Sequence, residues 1–259
     1  MGKKIGICRY CKLEKTLIDS HIIPKSFYDL KTQGRYTKID CKKWELDKVH
    51  GQNGFKEPLL CAECDNKLGI LDRYANYFLY LQVPHAPLQY SVEIPFIPFY
   101  FLESKSFNYT LLRRFFISLL WRACICAAIP VSLGHYEDIA LRILKREQVD
   151  NENLFVPLIY RKETNTPADL CTTIADFHFI GENCFYFRFP YYEVILLTDT
   201  DSCNNKLYAR QLQQLFNRQH IKIYKLMKNT PLDAYFYKSM QIIQKKYNKI
   251  RPINLAKKK

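Results

Sequence analysis

The sequence predicts an α+β protein in which a small N-terminal module, residues 1–80, precedes a domain of helices and antiparallel strands, residues 81–259. Segments with apolar residues spaced three and four apart, typical of helices, occur in both regions, and short segments rich in β-branched and aromatic residues lie between them. Hydrophobic residues make up 48% of the chain and aromatic residues 15%, which is enough to fill a packed core. These observations exclude a disordered chain.

The N-terminal module is predicted to contain a strand, a long loop and a helix. Residues 16–23 are mostly apolar or β-branched and are followed by Pro24, which indicates a strand. Residues 31–57 are polar, basic and interrupted by glycines, which predicts a long irregular loop. From Cys64 to Phe78, apolar residues recur at helical spacing, so a helix is expected there.

The second region is predicted to begin with proline-rich strands in residues 84–102. A buried helix over 108–129, apolar nearly all round, and an amphipathic helix over 135–148 follow. Four further strands are expected, with Gly181, Glu182 and Asn183 as a hairpin turn: 154–161, 174–180, 184–189 and 192–198. A last helix, in a basic C-terminal helical segment, is predicted to begin at the cap Thr230 and Pro231.

The net charge of +14 is distributed unevenly. Residues 1–70 hold 14 Lys and Arg against 9 Asp and Glu, and residues 203–259 hold 14 against one, whereas residues 71–202 are slightly negative. Two basic regions favour contact with a polyanion, and nucleic acid is the candidate because each neutralised phosphate releases counterions. For residues 257–259 alone, a solvated lysine tail is the simpler explanation.

Neither a signal peptide nor an apolar segment of membrane-spanning length is evident. Arg122 and Pro130 interrupt the apolar residues 115–133, and four prolines interrupt residues 77–102. We therefore expect a cytoplasmic protein that does not contact a membrane. In that compartment, the two close pairs among the ten cysteines favour metal binding over a disulfide framework.

Two cysteine pairs have the spacing of a structural metal site. Cys8 and Cys11 form one CxxC pair, and Cys61 and Cys64 form another. Two such loops can close one tetrahedron of thiolates around Zn²⁺, with Zn–S distances of about 2.3 Å. The spacing therefore predicts structural zinc bound by all four cysteines. Because zinc knuckles alone do not imply catalysis, the residues between them decide the function.

The residues around these pairs resemble the HNH endonuclease family. The resemblance rests on the first CxxC pair, on Asp19-Ser20-His21-Ile22-Ile23-Pro24, and on Leu59-Leu60-Cys61-Ala62-Glu63-Cys64-Asp65-Asn66. In that family, a CxxC pair precedes a His-Ile-x-Pro strand, and a second knuckle opens the final helix. The resemblance covers only the N-terminal quarter of the chain, where it implies a zinc-stapled ββα-metal module.

The activity that this resemblance implies is metal-dependent hydrolysis of phosphodiester bonds. His21 would be the general base that accepts a proton from the attacking water, because an imidazole with a pKa of about 6.5 suits that task. A Mg²⁺ or Mn²⁺ ion would neutralise charge on the scissile phosphate and stabilise the leaving 3′ oxygen. The alternative for His21 is a packing role within its strand.

The expected ligands of the catalytic ion depart from the family pattern. Many members have Asp directly before the base His, where this chain has Ser20. Because strand side chains alternate, Asp19 shares a side with His21 and could replace the usual carboxylate. Many members have His or Asn directly after the second knuckle; here Asp65 stands there, followed by Asn66. We rank Asp65 first, because carboxylate oxygens suit these ions, then Asp19 and Asn66. The first turn of a helix also favours an acidic residue without any metal.

Several basic residues are candidates for nucleic-acid binding: Lys25, Arg35, Lys42 and Lys43 in the module, and Lys245 and Lys249 on the predicted last helix. The insertion between His21 and Cys61 is longer than a minimal module needs, and its basic and aromatic content would fit a phosphate backbone. Asn53 could supply the middle Asn of the HNH name. An ordinary Asn-Gly turn is the interpretation that we favour for it.

Two functions are consistent with these patterns. The first is an HNH endonuclease that acts on nucleic acid, with DNA favoured over RNA, in bacterial anti-phage defence or a mobile element. The second is a catalytically inactive zinc module that binds nucleic acid or protein, and Ser20 is its best support. A homo-oligomer or a protein partner from a defence system stays open in either case.

Overall fold

The computed structural model describes residues 4–27, 35–40, 45–50, 56–90, 98–127, 129, 131–147, 151–162, 173–179, 182–203 and 216–226. For 35–40, 45–50, 162, 173–179, 182–183 and 226 it describes the backbone alone. The architecture is α+β, as predicted. Strands β1 to β12 are Lys4–Ile7, Glu14–His21, Arg35–Asp40, Glu45–His50, Lys56–Cys61, Leu88–Tyr90, Pro98–Glu103, Leu154–Lys162, Thr173–Phe179, Glu182–Phe189, Tyr192–Asp199 and His220–Leu226. Helices α1 to α3 are Ala62–Tyr77, Tyr109–Ile125 and Tyr136–Lys145.

The N-terminal region contains an antiparallel sheet with the strand order β1-β2-β5. Its middle strand, β2, is the strand predicted from the sequence, but it ends at His21, and the fully buried Ile22 and Ile23 follow it. Helix α1 begins directly after β5. The sheet therefore brings the end of β2 close to the start of α1.

The prediction of a long irregular loop over residues 31–57 is wrong for residues 35–40 and 45–50, which form two strands. Within it, β3 pairs with β4 in an antiparallel hairpin, in register from Arg35 opposite His50 to Asp40 opposite Glu45. Strand formers such as Tyr36 and Ile39 are interspersed with charged residues there. Backbone pairing makes this segment a hairpin even though its composition resembles that of a loop.

A seven-stranded sheet has the order β6-β7-β12-β8-β11-β10-β9, and β12 runs parallel to β8 while the other pairs are antiparallel. Strand β12 was not predicted from the sequence, and it precedes the helix that is expected to begin at Thr230. Its fully buried Ile221 and Ile223 alternate with Lys222, so a period of two is present beneath the positive charge.

The predicted turn at residues 181–183 is also wrong in position. Glu182 pairs with Phe179, and Asn183 pairs with His178, so both belong to β10. Gly and Asn are both typical turn residues, but strand pairing places this Asn inside the ladder. The predicted helix from Thr230 lies outside the described residues.

Helix α2 is the buried helix predicted from the sequence, over Tyr109–Ile125. Fourteen of its 17 residues are buried, including Trp121, which has no exposed surface. Helix α3 also agrees with the prediction, and Arg146, which follows it, has the left-handed conformation with φ of 64°. None of the helices in the described ranges has the length and apolarity needed to cross a membrane.

The N-terminal region and the rest of the chain share one hydrophobic core. Phe27 is fully buried, and its ring centroid lies 5.1 Å from those of both Phe115 in α2 and Phe189 in β10. Tyr10, between the first two cysteines, packs edge-on against Trp121 at 5.9 Å. The residues that resemble the HNH pattern are therefore packed directly onto the second region.

Candidate metal centre and catalytic site

The four predicted zinc ligands come together in the structure. One sulfur from each of Cys8, Cys11, Cys61 and Cys64 lies within 4.8 Å of the others. Four sulfurs at this separation can close on a tetrahedral Zn²⁺ ion with bonds of about 2.3 Å. The cluster can bind a metal and is consistent with structural zinc. Among the residues that the structure describes, it is the one group of three or more such donors.

Backbone hydrogen bonds build the two knuckles. The N–H of Lys12 donates to the carbonyl of Cys8 at 2.8 Å, closing the first turn, and the N–H of Arg9 donates to the carbonyl of Leu59 in β5 at 3.0 Å. The N–H of Cys61 donates to the sulfur of Cys8 at 3.3 Å. These bonds hold the knuckles against each other across the sheet.

The hydrogen bonds around Cys8 favour a thiolate. Burial is the largest influence on the Cys8 sulfur and raises its pKa, but hydrogen bonds from the backbone at Cys11 and Cys61 help to lower the pKa to about 7. A thiolate is the form of cysteine that binds metal. Burial raises the pKa of Cys64, so the thiolate is favoured at Cys8, and four sulfur donors are a ligand set typical of structural zinc.

His21 stands at the end of β2 with a buried and unsatisfied ring nitrogen. The side chain is half-buried, and its Nε2 atom has no hydrogen-bond partner within the described part of the chain. A buried ring nitrogen without a partner is costly unless a ligand or water satisfies it. A bound ligand or water would satisfy this nitrogen.

Asp65, the first-ranked carboxylate, acts electrostatically on His21. It is half-buried in the first turn of α1, and its negative charge raises the pKa of the imidazole. The neighbouring Asn66 is exposed. Of the two ranked residues in α1, Asp65 is the one whose charge affects the pKa of His21.

Asp19 is exposed on β2, whereas Ser20 is 1% exposed. The pairing register of β2 with β5 shifts between Ile18 and Asp19: Ile18 pairs with Leu60, whereas Asp19 pairs with Pro58. A bulge of this kind redirects the side chains that follow it. Ser20 points into the protein, as the alternation of the strand predicted.

The surroundings of His21 are positively charged overall. Burial is the main cause of its lowered pKa, and the cations Lys56 and Lys25 lower it further. Lys56 lies opposite His21 in β5, and both lysines are exposed. Exposed cations beside a buried proton acceptor favour a bound anion such as a phosphate.

Arg122 of α2 reaches this site from the second region. Its Nη1 atom donates to the His21 carbonyl at 3.1 Å and to Asp72 of α1 at 3.0 Å, and its Nη2 donates to the other Asp72 oxygen at 2.6 Å. The Arg122 side chain is 3% exposed. Burial raises the pKa of Asp72, and the guanidinium acts in the opposite direction.

Sequence reasoning noted Arg122 as a charge within an apolar stretch, and in the structure the arginines of α2 have internal partners. Arg113 donates to the carbonyls of Asn151 and Leu154, and Arg114 to that of Leu144. It missed the link from Arg122 to His21. A charge inside an otherwise apolar helix was the available signal, because such a charge needs a buried partner.

The candidate nucleic-acid contacts are described only in part. Lys25 is exposed, and its positive charge lowers the pKa of His21. Arg35 begins β3, and only its backbone is described. Lys42, Lys43, Lys245 and Lys249 lie outside the described residues, as does Asn53.

Comparison with known proteins adds no assignment to this site: no family model, no curated protein and no solved structure matches the chain significantly.

Proposed function

We propose that the chain is a divalent-metal-dependent, HNH-type endonuclease that hydrolyses phosphodiester bonds of DNA. One observation carries the proposal: the unsatisfied Nε2 of His21 lies at the end of β2, where the negative charge of Asp65, in the first turn of α1, acts on the imidazole. The cysteine cluster lies where β5 meets α1 and supports the same arrangement, because it joins the sheet to that helix.

The chain's own residues suit the steps of this reaction. The neutral imidazole of His21 accepts a proton from the attacking water at Nε2. Lys56 and Lys25 attract the phosphodiester to the imidazole. Asp65 would hold the divalent ion, since Mg²⁺ is bound through one or two carboxylates, with water and substrate phosphate oxygens as the remaining ligands. That ion, when bound, supplies charge neutralisation at the phosphate and at the leaving 3′ oxygen.

The test uses the full chain with supercoiled plasmid, linear DNA and RNA in Mg²⁺, Mn²⁺ or EDTA. We expect DNA cleavage that needs a divalent ion and that falls by about 10²- to 10⁴-fold in His21→Ala, the usual contribution of a general base. Binding of DNA by His21→Ala, measured by a gel shift, should be retained. His85→Ala is the control, because His85 is exposed in a different part of the fold. Wild-type protein that cleaves none of these substrates would refute the proposal.

A second candidate function is an inactive zinc module that binds nucleic acid or protein. It is favoured by Ser20, which occupies the position of the family's metal-binding Asp and is 1% exposed. In that case, DNA would be bound without cleavage, and His21→Ala would change little. The biological setting that we propose for the nuclease, bacterial anti-phage defence or a mobile element, rests on the family resemblance alone.

A further inference from the structure

We infer that Arg122 is a positioning residue for the proposed nuclease: it fixes the end of β2, and with it the imidazole of His21, against helix α1. This inference rests on the proposed function for its catalytic meaning. Arg122 lies in α2, outside the residues that resemble the HNH pattern. The second region would then complete the catalytic site.

The contacts show which parts Arg122 connects. One nitrogen, Nη1, donates both to the His21 carbonyl at 3.1 Å and to Asp72 at 3.0 Å. The other nitrogen, Nη2, donates to Asp72 at 2.6 Å, and Nε donates to the carbonyl of Ser118 within α2 at 3.3 Å. The planar guanidinium therefore relates the backbone of β2 to a side chain of α1 in a fixed geometry.

The position of Asp72 explains why this connection matters for the site. Asp72 follows Asp65 by seven residues, which is close to two helical turns, so both side chains lie on the same face of α1. The charges of both His21 and Asp65 act on Asp72. The contact between Arg122 and Asp72 therefore fixes the orientation of helix α1, which carries Asp65, relative to strand β2, which carries His21.

A contribution to stability alone does not explain why the chain has the buried ion pair between Arg122 and Asp72. Replacing a buried ion pair by apolar residues of similar size is often neutral or stabilising, because desolvation of the two charges offsets their attraction. What an apolar pair would lose is the hydrogen bond to the His21 carbonyl, which lies at the last residue of β2. The arginine thus contributes geometry that an apolar side chain could not supply.

The decisive variant is the double substitution Arg122→Met with Asp72→Leu, made in the full chain. Because it removes both charges together, we expect it to remain folded while losing the contact to His21. The turnover number for DNA cleavage should fall about 10- to 100-fold, as for a misplaced catalytic group, while KM changes less than about twofold. The ¹⁵N resonances of the His21 imidazole should also move.

Arg122→Lys and Arg113→Lys form a matched pair. Both arginines lie in α2, both are buried and both donate to backbone carbonyls, but Arg113 contacts Asn151 and Leu154 instead of His21. Only Arg122→Lys should lower the turnover number and shift the His21 resonances. Equal effects of the two substitutions would overturn the inference, as would a double variant with wild-type turnover and unchanged resonances.

These readouts separate the two proposals. If the wild-type protein cleaves no nucleic acid, the proposed function fails, but the imidazole resonances still test the connection. Resonances that shift in the Arg122 variants and not in Arg113→Lys then support the positioning role. Resonances that are the same in all variants refute it.

Discussion

The backbone N–H of Cys61 donates a hydrogen bond to the sulfur of Cys8, 3.3 Å away, although the two residues are 53 positions apart in the sequence. This bond spans the start of the first knuckle and the start of the second. It directs positive charge from a backbone amide towards the sulfur, which favours the thiolate. The sheet thereby prepares Cys8 for metal binding.

Loss of a cluster cysteine should therefore remove the metal and weaken the fold. We expect Cys8→Ser to reduce bound zinc from about one per chain to a small fraction of that, and to lower the free energy of unfolding by several kcal/mol, because binding of a structural zinc contributes on the order of 10 kcal/mol to folding in small zinc domains. Inductively coupled plasma mass spectrometry and urea denaturation measure the two effects. Cys124→Ser is the control, because Cys124 lies outside the cluster. Zinc content that is unchanged in Cys8→Ser would contradict the assignment.

The pH dependence of cleavage should reflect the lowered pKa of His21. Burial lowers this pKa most, Lys56, Lys25 and Arg122 act in the same direction, and Asp65 acts in the opposite one. A base with a lowered pKa stays neutral at lower pH, so the rate should decline only below the ordinary histidine value of about 6.5. Measurement of kcat/KM between pH 5 and pH 8 tests this, and an acidic decline centred clearly above pH 6.5 would be inconsistent with it.

Lys56 should contribute to binding of the substrate more than to the chemical step. It is exposed beside His21, so Lys56→Ala should raise KM several-fold with little change in kcat. The slope of log affinity against log salt should fall by about one, the value for one lost phosphate contact. Lys105→Ala removes a lysine that is 82% exposed in the second region and should leave the slope unchanged. If both variants behave alike, Lys56 makes no special contact.

The shared core predicts that the two regions unfold together. Phe27 follows the His-Ile-Ile-Pro segment and packs on Phe115 and Phe189. Phe27→Ala should lower the free energy of unfolding by about 3–5 kcal/mol, as for other buried phenylalanines. Urea titration followed by circular dichroism should show one transition that moves as a whole. Leu81→Ala, at a side chain that is 58% exposed, should cost less than about 0.5 kcal/mol.

The elements that the sequence predicted well are those whose pattern is local. The apolar spacing of α2 and the charge order of α3 depend on near neighbours in the chain, and both helices appear within a few residues of their expected bounds. Strand β12 and the β3–β4 hairpin were not predicted. The strands that pair with β12 are distant from it in sequence, and charged residues interrupt the apolar pattern of β3 and β4. Strand pairing depends on the tertiary context, so amino-acid composition predicts it only weakly.

The same division holds at the site. Sequence alone identified the four cysteines that come together, because two CxxC loops have the spacing of a metal site, and the family resemblance selected His21 and Asp65 as candidates. Only the tertiary structure decided that Asp19 is exposed, that Ser20 is buried and that Arg122 reaches the carbonyl of His21. The physical reason is that a ligand spacing is a property of the chain itself, whereas the burial and orientation of a side chain depend on what the rest of the protein packs against it.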